Sequence, residues 1–218
     1  PTRRSSDLGI CDSMDEIEPL KLKYLSRMDD EYYKLQESNQ QFIANNSFQT
    51  PDKHLNRMLN VWMKHQTAYG AKWCRWGWMG YRDIVQHGYG VSSFNPNRTK
   101  EILREAFQYQ YTSGMALRGW NPVDTKPYSD SALWLVFTLI SYLRETADFD
   151  FLSENIQFYD KGSATALEHI ERALNFLENN KGAHKLVLIK FGDWNDSLTA
   201  IGKEGRGESV WLSMAYAE

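Results

Sequence analysis

Apolar residues recur at three- and four-residue steps along most of this chain, and that period restricts it to folds made by packing helices on helices. Over residues 19 to about 46 the recurring side chains are Leu22, Leu25, Met28, Tyr32 and Leu35, set amid charge. Residues 47–53 break the pattern. Thr50 followed by Pro51 then reads as an N-cap with proline in the first turn, opening a helix that carries Leu55, Met58, Leu59, Trp62 and Met63. Helix resumes over residues 99 to about 113 through Ile102, Leu103, Ala106 and Phe107. Ser129 is expected to cap a helix from Ala132 to Leu143 that is apolar on nearly every side and so belongs in the interior. Residues 163–179 are amphipathic through Leu167, Ile170, Leu174 and Leu177, and only 186–190 reads as a candidate strand.

Buried and amphipathic helices in alternation suit an all-α toroid, an inner ring of helices enclosed by an outer one. A four-helix bundle fits less well. Its connections run to about 2–8 residues, whereas residues 114–128 form a longer loop and 69–93 are rich in glycine and tryptophan with no clean period. No repeat of fixed length argues for a solenoid. Lys and Arg number 25 against 28 Asp and Glu, so no basic excess exists for phosphate-backbone binding, and a nucleic-acid partner is excluded. The longest apolar stretch, residues 132–140, is far short of the roughly 20 needed to cross a bilayer, which argues against a membrane partner. With no basic, apolar-cored leader, the expected location is cytoplasmic. Cys11 and Cys74 lack the spacing of a thiolate metal site, and His54, His65, His87, His169 and His184 form no metal-binding pattern, so no metal is expected. Phosphate-binding glycine loops and a Gly-x-Ser-x-Gly elbow are also lacking. The unusual feature is aromatic content, 14% of residues, whose flat faces suit sugar rings as well as cores.

Two segments concentrate chemistry. In Gly-Asp-Trp-Asn-Asp at 192–196, Trp194 offers a stacking face beside Asn195, and Asp193 stands close enough to Asp196 to help keep one carboxyl protonated. The same residues would equally serve an Asx-turn leading into a helix cap. In Gly80–His87, Arg82, Asp83, Gln86 and His87 fall within two helical turns, after Trp73, Trp76 and Trp78. They read either as hydroxyl-matching groups of a sugar site or as a cap at an exposed helix start. Tyr128-Ser-Asp130 reads as an N-cap box for the apolar helix.

Gly-Tyr-Arg-Asp-x-x-Gln at 80–86, Tyr-Ser-Asp-x-x-Leu-Trp-Leu at 128–135, Gly-Asp-Trp-Asn-Asp at 192–196 and Gly-Glu-Ser-Val-Trp-Leu at 207–212 occur in one order. Together they resemble the inverting glycoside phosphorylases typified by cellobiose and chitobiose phosphorylase. The resemblance implies the N-terminal half of an (α/α)6 toroid, with residues 9–49 as a linker helix region and 50–218 as the first part of the catalytic domain. It implies phosphorolysis of a β-linked gluco-disaccharide or oligosaccharide to an α-sugar 1-phosphate, with inorganic phosphate as co-substrate and no cofactor. Asp196 falls on the general acid. Arg82, Asp83, Gln86, His87, Asp130, Asp193, Trp194, Asn195 and Glu208 fall on substrate-binding positions, and Arg75 is the candidate for a phosphate ligand. The family usually has Gln-Asp where this chain has Gln86-His87, and Ser-Asp-Asp where it has Ser129-Asp130-Ser131. The full-length protein has room to act as a homodimer. A hydrolase on the same toroid, or a non-catalytic sugar-binding relative, stays open beside this reading.

Residues 1–8 back-translate through permitted codons into the end of a common sequencing adapter, and they are expected to be an assembly scar. Residues 208–217 read as the first turns of a helix with no stop signal, so a fragment is expected.

Overall fold

The computed structural model describes residues 11–74, 78–198 and 200–218. The expected scar at 1–8 and the phosphate candidate Arg75 lie outside the described residues. The chain divides into two compact units, residues 1–47 and 48–218. In the first, α1 (Ile17–Leu25) and α2 (Met28–Ala44) replace the single helix expected there, because Ser26 and Arg27 interrupt it. None of their residues is buried.

The second unit is mostly helical. It opens with α3 (Lys53–Arg57), which runs through a π-helical stretch (Met58–Met63) into α4 (Lys64–Trp73). The expected Thr50–Pro51 start is displaced. Asp52 is the N-cap and accepts from the amides of His54 and Leu55, while Thr50 is bound to Asn56. Next come α5 (Tyr81–Val91), α6 (Pro96–Gln108), α7 (Ser131–Thr146), α8 (Ala166–Asn179) and α9 (Val210–Ala217). The amphipathic helix read from residue 163 begins at Ala166, where Thr165 and Glu168 form a reciprocal capping box. The apolar helix is not capped by Ser129, whose hydroxyl donates to the Ile189 carbonyl instead. Asp130 occupies the N-cap position without a capping bond.

α5 is the helix that the period missed. It packs against α4, α6 and α7, and α7 packs in turn on α6 and α8. Ile84, Val85, Ile102, Leu103, Ala106, Phe107, Leu133, Leu135 and Leu139 are buried among these helices. Small side chains lock the crossings. Thr99 Oγ1 donates to the Gly88 carbonyl at 2.8 Å, and Thr138 Oγ1 to the Val85 carbonyl at 3.0 Å. A Cβ at Gly88 would already stand 3.0 Å from Ile102.

The long loop before α7 holds an antiparallel hairpin, β2 (Gly119–Asn121) with β3 (Val123–Asp124), and β2 also pairs with β1 (Met79–Gly80). A second pair, β4 (Asn155–Gln157) and β5 (Ser163–Thr165), precedes α8. The candidate strand at 186–190 makes only single bridges, to Lys181, Glu208 and Tyr128.

A buried polar knot joins the loop after α6 to α8. Gln110 donates to the carbonyls of Gly114 and His169 at 3.1 and 3.0 Å, and its Oε1 lies 2.6 Å from His169 Nδ1. Gln110→Ala strands buried acceptors and is expected to cost about 2–4 kcal/mol. Denaturant unfolding of the full-length protein measures this, and a loss of only a few tenths would show the knot to be dispensable.

Candidate active site

The first turn of α5 and the loop before α9 meet beside the start of α7. Gly80 lets Asp83 and the Trp78 ring close over its backbone, since a Cβ there would lie 2.2 Å from Asp83 Oδ2 and 2.8 Å from the Trp78 ring. The 193–196 loop is tied back by the Phe191 amide donating to the Pro127 carbonyl and the Ser129 amide to the Gly192 carbonyl, at 2.9 and 3.1 Å. Asp193 is buried. One of its oxygens accepts from the Asn195 amide at 2.8 Å, an Asx-turn, and the other accepts from Ser209, the N-cap of α9. The turn reading of this loop therefore holds for Asp193, while Asp196 faces elsewhere.

Arg82 joins the three segments. Its Nη1 donates to Asp130 Oδ2 at 3.2 Å and to the Asp193 carbonyl at 2.8 Å. Its Nη2 donates to both oxygens of Asp196, at 2.8 and 2.9 Å. Burial works against the guanidinium charge, but Asp130 and Asp196 more than offset it and hold its pKa above the usual arginine value. The partners differ in exposure, with side chains 0% exposed for Asp130 and 61% for Asp196. Asp130 does not act as a cap box. Its Oδ2 accepts from Arg82 and from Trp134 Nε1 at 3.2 Å, and its Oδ1 is buried with no partner. Desolvation pushes its pKa from 3.8 up to about 6, against the pull of Arg82 and with a further push from Asp193.

Aromatic rings complete the setting. The Arg82 guanidinium lies 5.3 Å from the Trp194 ring, and Trp194, Trp134 and Trp211 lie within 5.6–6.2 Å of one another. A cavity of about 200 Å³ opens among Trp78, Arg82, Asp83, Arg118, Tyr128, Asp130, Ser131 and Asp196. Trp78, expected to flank the 80–87 segment, lines this cavity, whereas sequence reasoning missed Arg118. Arg118 is held by Asp124 at 3.0 Å, with its guanidinium over Trp78 and Tyr128 at 5.2 and 4.6 Å. The short pairing of β1 with β2 and the Tyr81 amide donating to the Arg118 carbonyl at 2.8 Å bring it there, and no local signal in the sequence marks that pairing.

Other predicted residues fall outside this cavity. His87 lines a second and larger one, about 660 Å³, with Trp62, Tyr69, Trp73 and Gly70. Its ring stands where a Cβ on Gly70 would lie, 2.3 Å away. Gln86 is half-buried and lines neither cavity. Asn195 is exposed and contributes its amide to the turn. Glu208 does not reach the cavity, because its carboxylate accepts from the His184 amide and faces His184 Nδ1 at 2.9 and 3.0 Å.

Carboxylates, two guanidiniums and the Trp78 and Tyr128 rings around one small cavity, with the Trp194 face against Arg82 beside it, are groups suited to holding a sugar ring. The catalytic-domain model of the glycosyl hydrolase 94 superfamily matches residues 39–131 and 124–217, and the chain belongs to that family. It is 38% identical over 209 residues to solabiose phosphorylase of Paenibacillus borealis, covering 95% of this chain and 27% of that protein. Identity to N,N'-diacetylchitobiose phosphorylase of Vibrio furnissii is 27%, covering 91% of this chain and 29% of that protein. To cellobionic acid phosphorylase of Neurospora crassa it is 28%, covering 78% and 22%. The chain thus spans under a third of the length of these curated relatives.

The raised pKa of Asp130 carries a stability consequence. The folded chain binds the proton more tightly than the unfolded one, so this group weakens the fold as pH rises from about 4 to 6, by about 3 kcal/mol in all. Asp130→Asn does not titrate. Its stability relative to wild type is therefore expected to improve with rising pH across that window and then level off, as read by urea unfolding at several pH values. A difference independent of pH would contradict the burial argument.

Proposed function

We propose that this chain is part of an inverting glycoside phosphorylase that cleaves a β-linked gluco-disaccharide or oligosaccharide with inorganic phosphate. Its helices form the N-terminal portion of an (α/α)6 catalytic toroid. The observation that carries the reading is Arg82, which gathers Asp130, the Asp193 carbonyl and Asp196 from separate parts of the sequence onto one cavity. Membership of a family whose relatives are named as phosphorylases supports the reaction class.

In the proposed reaction Asp196 is the general acid. The glycosidic C1–O bond breaks, and Asp196 gives its proton to the departing oxygen. A phosphate oxygen bonds to C1 from the opposite face and inverts it to an α-sugar 1-phosphate. The proton that hydrogen phosphate loses restores the acid. A water-using inverting enzyme needs a second carboxylate to activate its nucleophile, whereas phosphate arrives already anionic, so one carboxyl suffices. Both oxygens of Asp196 accept from Arg82 here, so an incoming sugar must draw Arg82 Nη2 onto its own hydroxyls before the acid can act. Asp83 and Trp194 are placed to contact the same sugar, and His87, in the neighbouring cavity, sets which sugar is preferred.

Asp196→Asn in the full-length protein keeps the shape of the side chain but cannot deliver a proton. The expected loss is on the order of 10²–10⁴ with a natural disaccharide, and much less with a glycosyl fluoride, whose leaving group needs no proton. Equal losses on both donors would overturn Asp196 as the acid. Sugar release that is indifferent to added phosphate would favour a hydrolase, with Asp83 as the second carboxylate.

A further inference from the structure

Arg82 and Trp194, the two groups placed to hold a sugar, are joined in a closed ring of contacts. Asp130 Oδ2 holds Arg82 Nη1 at 3.2 Å, and Arg82 lies 5.3 Å from the Trp194 ring. Trp194 lies 5.6 Å from Trp134, and Trp134 Nε1 returns to the same Asp130 oxygen at 3.2 Å. One carboxylate oxygen therefore sets both a cation and, through Trp134, an aromatic face. Asp130 borders the cavity, but its side chain is 0% exposed and stands behind Arg82.

Given that this cavity is the sugar site proposed above, the geometry points to Asp130 as a positioning residue: it acts on the sugar only through Arg82 and Trp134, and does not touch it. The two ends of Arg82 are bound unequally. Nη1 is tied to the buried Asp130 and to the carbonyl of the buried Asp193, and Nη2 to the exposed Asp196. Exposed pairs contribute little and exchange readily, while breaking a buried one leaves an uncompensated charge. A sugar that takes Nη2 from Asp196 therefore frees the acid and leaves Arg82 anchored at Nη1. Asp130 is the charged half of that anchor.

The ionisable groups facing Asp130 are Arg82 and Asp83 from α5, Arg118 from beside β2, Tyr128 from the segment before α7, and Asp193 and Asp196 from the loop before α9. Arg82 favours its charge, burial and Asp193 oppose it, and the Trp134 bond favours it. A carboxyl that loses its charge below about pH 6 weakens the anchor there.

The test uses the full-length protein with cellobiose as probe, at saturating phosphate, from about pH 5 to 8. Wild type is expected to lose kcat/KM for the disaccharide below about pH 6. Asp130→Asn should lack that acid limb, with a plateau reduced on the order of tenfold and the loss in KM more than in kcat. Trp134→Phe keeps an aromatic face but removes the Nε1 donor that favours the charged carboxyl, so its acid limb should move to higher pH. A merely structural role would lower the melting temperature and move neither limb. The inference is overturned if Asp130→Asn retains the wild-type limb, or if Trp134→Phe leaves the limb in place. Should Asp130→Asn fail to fold, Trp134→Phe decides alone. If wild type releases no sugar 1-phosphate from cellobiose or from any of a panel of other β-linked gluco-disaccharides and oligosaccharides, phosphorolysis fails as a reading. The cellobiose-induced melting shift, followed over the same pH range in the same proteins, then decides whether Asp130 positions the sugar site. A shift that is independent of pH in wild type overturns that as well.

Discussion

A guanidinium largely removed from water needs anionic partners, and the arrangement of this chain's site follows from how Arg82 obtains them. Asp130 lies 48 residues away in sequence and Asp196 lies 114 away, and both reach it. Removing one partner from a buried pair typically costs about 3–5 kcal/mol, so α5, α7 and the 193–196 loop are held together by the charge they share. The fully buried carboxyl of Asp130 is pushed upward despite that pairing, which shows that burial is not wholly repaid. The proposed sugar site is thus held at some expense to the fold, as is common where function requires buried polar groups.

The helices make the pairing possible by fixing where Arg82 starts. α5 is gripped between α4, α6 and α7, with Thr99 and Thr138 hydrogen-bonded to its carbonyls. A side chain projecting from a helix held on several sides has little freedom in its base, so the head group is aimed by the scaffold and not by the loop. The loop is aimed separately, through Tyr128–Ser129 and through Asp193 on the N-cap of α9. Asp196 then meets Arg82 at the mouth of the cavity, where it is the exposed member of the set.

Much of this was legible in the sequence. α6, α7 and α8 follow from apolar spacing, because each buries one face or nearly all of its surface. α5 was obscured because Gly88 and Gly90 weaken its propensity, yet Gly88 lets Ile102 come close. The site motifs at 80–86, 128–135 and 192–196 were all singled out, and parts of each meet at the cavity. What the sequence could not tell was direction. Nothing local distinguishes an Asp that caps a helix from one turned inward to a distant arginine, so Asp130 read as a cap. Glu208 lies within a matching motif but is engaged by His184. Arg118 depends on strand pairing of two or three residues, which is below what period or propensity can resolve.

The central claim is that the shape of Arg82, and not only its charge, organises the site. Arg82→Lys keeps the charge but cannot span Asp130, the Asp193 carbonyl and Asp196 at once, because an ammonium lacks the planar fork. The measurement is kcat/KM for phosphorolysis by the full-length protein, alongside its melting temperature. The account predicts a loss of at least about 100-fold with the helical fold retained. An Arg82→Lys enzyme within a few-fold of wild type would contradict it.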